Sequence, residues 1–132
     1  MADRRGLNAR SLARLGNNQG APVFVERIAV TTSDSTVDGF GGEVPFAFQV
    51  LYAWGVMTAA GGAGDTAKVS RVREGTTADI TDTADLSVFS DTDQFDFSQL
   101  DDANWDFRQG DILRVTSASS PALEVYVMCA RL

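Results

Sequence analysis

Ten aspartates fall between Asp79 and Asp111, against one basic residue, Arg108. Three of them, in Asp91-Thr92-Asp93-Gln94-Phe95-Asp96, are close enough in sequence to offer oxygen ligands to calcium. The spacing departs from an EF-hand loop, because the sixth position lacks glycine and the twelfth lacks glutamate. The plainer reading is a solvated acidic face, with aspartates accepting backbone N–H bonds in turns. No metal site and no cofactor is assigned. Paired carboxylates could also serve a glycosidase, but that chemistry sets an acid and a base across a sugar cleft with aromatic platforms. Trp54 and Trp105 both read as core, so no catalytic residue is assigned.

The remaining nucleophile chemistry is thin. The chain has no histidine, which removes Ser-His and Cys-His pairs and the commonest zinc ligand together. Its one cysteine, Cys129, lies in an apolar strand and reads as a small buried hydrophobe. Lys68 is the only lysine. Gly61-Gly62-Ala63-Gly64 has no following Lys-Ser/Thr and is read as a flexible hairpin tip, not a phosphate loop. The residues point to a non-enzyme.

Charge divides the chain of 132 residues. Residues 1–20 carry Arg4, Arg5, Arg10 and Arg14 against Asp3, a net of +3, so the total of −7 leaves −10 on the rest. An acidic body argues against nucleic acid as its partner. No apolar run approaches the roughly 18 residues of a membrane helix, and no apolar leader follows the first residues. Residues 1–22 are expected to form a flexible basic arm. Asn8 could cap a short helix over residues 9–15, with Leu12 and Leu15 on one side and Arg10 and Arg14 on another. Residues 23–132 are expected to form one domain.

That domain reads as strands. Residues 23–32 alternate, with Phe24, Ile28 and Val30 on one face and Val23, Val25, Arg27 and Ala29 on the other. Residues 31–42 are dense in Ser, Thr, Asp and Gly and read as a loop. Residues 46–57 form the most apolar stretch. Phe46, Phe48, Val50, Tyr52, Trp54 and Val56 are expected on one face, and the smaller Ala47, Gln49, Leu51, Ala53, Gly55 and Met57 on the other. A strand follows at 67–74, a turn at 75–77 and a short segment at 78–81. Further short strands are expected at 86–89 and 95–100, with a turn at 101–104. Trp105 and Phe107 are expected to plug the core. Gly110-Asp111 launches a closing hairpin, with strands at 112–117 and 123–131 around Ser119-Ser120-Pro121. Seven or eight short strands without a helix outside the arm make an all-β antiparallel sandwich, jelly-roll-like or another Greek key.

Three passages carry a resemblance: Phe46-Ala-Phe-Gln-Val-Leu-Tyr-Ala-Trp-Gly-Val; residues 69–75 followed by Ala78-Asp-Ile-Thr-Asp; and Gly110-Asp-Ile-Leu-Arg-Val-Thr with Val125-Tyr-Val. Together they resemble the small capsid decoration (cement) proteins of tailed bacteriophages and related head-surface domains. The resemblance implies a structural virion protein, made in the host cytoplasm and held on the outer capsid surface. It implies the major capsid protein as partner and a homotrimer as the assembled form, with neither nucleic acid nor membrane bound. The arm is then the expected capsid contact, with Leu7, Leu12 and Leu15 as apolar anchors and Arg4, Arg5, Arg10 and Arg14 meeting acidic capsid surface. The competing reading is a receptor- or glycan-binding β-sandwich module of a phage tail or cell-surface protein.

Overall fold

The computed structural model describes residues 22–98 and 105–132. The helix, disorder and capsid-contact expectations for residues 1–21 and the turn at 101–104 lie outside them. Among the described residues ten strands follow in order: β1 (Val23–Val30), β2 (Thr36–Glu43), β3 (Phe48–Met57), β4 (Thr66–Arg73), β5 (Thr76–Asp79), β6 (Ala84–Asp85), β7 (Gln94–Asp96), β8 (Asp106–Phe107), β9 (Ile112–Ala118) and β10 (Leu123–Arg131). Among the described residues there is no helix.

Two antiparallel sheets pack face to face. The first runs β1-β10-β3-β7, with β8 also on β3; the second runs β2-β9-β4-β5, with β6 also on β4. The pairs are nested along the chain: β1 joins β10, β2 joins β9, β3 joins β7, and β4 joins β5. The expectation of an antiparallel β-sandwich holds. Its physical basis is the period-two alternation of β9 and β10, whose Leu113, Val115, Leu123, Val125 and Val127 are all buried between the sheets. Trp105 and Phe107 are buried as expected, and Phe107 stacks on Phe48 with ring centroids 4.8 Å apart.

Several local expectations need correction. The two closing strands do not form a hairpin: β9 belongs to the second sheet and β10 to the first. Residues 119–122 form a corner across the core, opened by Ser119 at φ 65°. Alternation cannot separate the two cases, because a strand buries the same side chains whether its successor lies beside it or opposite. Residues 59–65 make a second crossing, from β3 to β4, and are not a hairpin tip. Asp65 ties the corners together, accepting from the Gly62 amide (2.8 Å) and the Ser120 amide (3.1 Å). Gly61 is required by close approach, since a Cβ there would stand 1.8 Å from the Leu86 carbonyl oxygen.

The stretch 31–42 contains most of β2. It pairs with β9 from Thr36 to Asp38, then skips to Glu43 across Phe40, Gly41 and Gly42, all at positive φ. That irregularity removes the alternation by which strands are read. The turn after β4 is Glu74-Gly75, both at positive φ, so β5 starts earlier than expected, at Thr76. Residues 86–89 are a turn, with the Phe89 amide bonded to the Leu86 carbonyl, and Leu86 enters the core without a strand.

Candidate functional site

One extra residue decides what the first sheet shows to its surroundings. In β3, Phe48 and Val50 point into the core. Cys129 of β10 pairs with Val50, but the next residue, Met128, pairs with Tyr52. Leu51 is therefore a β-bulge, and a bulge re-aims every side chain beyond it. Ala53 and Met57 now join the core cluster, while Tyr52, Trp54 and Val56 turn to the other face, where Trp54 and Val56 are half-buried and Tyr52 is buried. The expectation that Tyr52, Trp54 and Val56 share a face with Phe48 and Val50 is overturned for this reason, and so is Trp54 as a core residue.

Register then assembles three rows on the outer face. Val25, Met128 and Tyr52 form one; Arg27, Tyr126, Trp54 and Asp96 the next; Ala29, Glu124, Val56 and Gln94 the third. Val23 and Val25 are 47% and 46% exposed. The Trp54 and Tyr126 rings lie stacked, centroids 5.4 Å apart and planes 12° apart, and Tyr52 leans on Trp54 at 5.0 Å. The Tyr126 hydroxyl donates to Glu124 at 2.7 Å, and Arg27 donates to the other Glu124 oxygen. The Glu124 bond raises the Arg27 guanidinium, and the Arg27 bond holds the Glu124 carboxyl below its usual range. The same carboxylate pushes the Tyr126 phenol up.

This arrangement has a chemical preference. A sugar-binding platform offers an open aromatic ring face. Here one face of Trp54 is taken by Tyr126, and Tyr52 leans on the ring as well. The half-buried Trp54 and Tyr126, backed by the buried Tyr52, lie with Met128 and two exposed valines and are edged by an internally satisfied ion pair, the kind of surface that buries against protein.

A second cluster lies where the core opens. Arg71 and Arg73 continue the inward face of β4 beyond Ala67 and Val69, reaching Asp106 and Asp111. Arg73 donates to both Asp111 oxygens (Nε at 3.1 Å to each, Nη2 at 2.7 Å), and the Arg108 amide donates to Asp111 at 2.8 Å. Burial pushes the Asp111 carboxyl up, but the Arg73 guanidinium and the Arg108 amide outweigh it and hold the group below its usual range. The neighbouring cleft, about 460 Å³, is lined by Glu43, Arg73, Glu74, Arg108 and Asp111 among others. Arg73 and Asp111 pair at its wall, and the cluster reads as a latch between β4 and the segment around β8.

The acidic run does not converge. Asp93 accepts from the Ser90 amide at 2.8 Å, and Asp85 accepts from the Ser87 hydroxyl and amide. Among the described residues no three acidic, histidine or cysteine side chains could jointly hold a metal ion. Cys129 is buried, and burial pushes its thiol well up.

The arm residues Arg4, Arg5, Leu7, Arg10, Leu12, Arg14 and Leu15 lie outside the described residues. Sequence reasoning missed the outer face of β3. A partial sign was present in β10, where Glu124, Tyr126 and Met128 alternate cleanly against Leu123, Val125 and Val127. Neither a protein-family model nor a curated protein matches this chain.

Proposed function

We propose that this chain is a non-catalytic structural protein that binds the outside of an icosahedral bacteriophage capsid and bridges neighbouring capsid subunits. The observation that carries the reading is the outer face of the first sheet, where the bulge at Leu51 presents Trp54, Tyr126 and Met128 beside Val23 and Val25. That surface is suited to protein contact. The nested strand order supports a jelly roll, an architecture used by viral capsid and lectin domains. The sequence resemblance supplies the capsid as partner.

The mechanism is mass action. A protein that binds only the assembled lattice stabilises the lattice. A closed trimer multiplies the contacts without new chemistry. The basic arm, with Arg4, Arg5, Arg10 and Arg14, meets acidic shell surface. Immunogold labelling of purified particles tests the reading. Label over the outer head surface is expected; label confined to tails, or absent from particles, refutes it. A glycan-binding module draws on the same surface aromatics, but the stacking of Trp54 on Tyr126 favours protein.

A further inference from the structure

We infer that the outer edge of β1 is a docking site for an extended segment of a partner protein, which joins the first sheet as a further strand. The segment is apolar at alternate positions and carries no net negative charge.

The backbone at this edge selects a strand. In the order β1-β10-β3-β7 the strand β1 is terminal, and among the described strands β10 is its one ladder partner. The Arg131 amide donates to the Pro22 carbonyl, so Pro22 and every second residue after it turn their backbone groups toward β10. Val23, Val25, Arg27 and Ala29 therefore turn theirs outward. Their N–H and C=O groups form one row, unbroken by a bulge, a proline or a positive φ. Such a row is a template for another strand. The other edges are blunted. The ladder of β2 breaks between Asp38 and Glu43, and β5, β6, β7 and β8 hold four residues or fewer. By contrast β1 is eight residues long and keeps its register throughout.

The side chains narrow the occupant. Val23 and Val25 stand exposed beside the row, so apolar side chains on an added strand bury against them. Behind the row the seam is shut, because Glu26 points inward and accepts from the Phe40 amide of β2 at 2.7 Å. A second copy of β1 fits poorly. A two-fold antiparallel pair needs outward groups on both strands, and its two longest registers set Glu26 against itself or Arg27 against itself. Residues 21–132 also carry a net −10, so two copies repel, whereas a neutral or basic segment does not.

This gives the mode by which a partner is held, and it rests on the proposed function only in naming a shell subunit as the source of the segment. The test uses the intact chain and a random-sequence peptide library, without particles. Selection should enrich peptides with alternating apolar residues, and their binding should slow amide hydrogen exchange at Val23, Val25, Arg27 and Ala29, read by NMR. Val25→Pro removes an outward N–H and no bond to β10, so it should keep the fold and weaken the selected peptides by about tenfold or more. Val25→Thr keeps that N–H and the side-chain shape and should bind like the parent. If Val25→Pro does not fold, N-methylation of the peptides decides: methyl groups on edge-facing amides should abolish binding, and those on the alternate amides should not. No enrichment, unchanged exchange along the row, or equal binding by the Pro variant or by both methylated forms would overturn the inference. Equal losses in the Thr and Pro variants would move the contact to side chains of the outer face, and a mass that doubles with concentration in the parent but not in the Pro variant would put a second copy on the edge; either result overturns it too. Capsid labelling is scored separately, so each idea can fail alone.

Discussion

Removing the Asp111 carboxylate should be costly, and the structure says how costly. The side chain is 6% exposed and Arg73 is 18% exposed. Asp111→Ala takes away the acceptor for Arg73 Nε and Nη2 and for the Arg108 amide. Breaking a buried pair from one side costs about 3–5 kcal/mol. Arg73 keeps a contact to Asp106 (3.5 Å) and some access to water, which lowers the expectation to about 2–4 kcal/mol. Asp111→Asn preserves shape and one acceptor oxygen and should lose about 1–2 kcal/mol.

Urea unfolding of parent and variants measures both losses as a lower midpoint at unchanged slope. The pH dependence adds a second check. The folded carboxyl titrates below its unfolded value, so its contribution is complete above about pH 4 and fades as pH falls through the lower folded value. The gap between parent and Asp111→Asn should therefore be widest near neutrality and shrink in acid. An Asp111→Ala variant within about 0.5 kcal/mol of parent at neutral pH would refute the latch. So would a gap that is the same in acid and at neutrality.

Two further outcomes follow from packing. A Cβ on Gly55 would stand 2.4 Å from a Phe95 ring atom, and Phe95 is itself stacked on Phe89 at 4.9 Å, so the ring has little room to yield. Gly55→Ala should lose about 1–3 kcal/mol in thermal melts, and an unchanged melting temperature would show that the ring moves freely. Cys129 should resist iodoacetamide in the native protein and react only as denaturant unfolds it, read by intact mass; prompt native labelling would contradict its burial.

Much of the fold was legible where one side of a strand alternates undisturbed. The faces of β1 and the core residues of β9 and β10 follow from period two alone. The reading failed where a single residue breaks that period. At Leu51 an extra residue sits in an unbroken apolar run, so nothing in composition marks the phase change, and the outer aromatic face stayed hidden. At Phe40-Gly41-Gly42 three positive-φ residues interrupt β2, and a strand looked like a loop. Partnering was harder still. Which sheet receives β10 depends on the corner at Ser119, and residue type does not distinguish a corner from a hairpin.

The nested pairing has a consequence for synthesis. Among the described strands β1 is the first to leave the ribosome, and its ladder partner there, β10, is the last of them. β10 also separates β1 from β3, so the first sheet has no centre until that strand arrives. Until then the inward Phe24, Ile28 and Val30 have no finished core to enter. The nascent chain must keep these residues from other partners until β10 has been made. A stop codon ahead of β10 should thus be far more damaging than the loss of one strand suggests, giving aggregated chains rather than shortened folded ones.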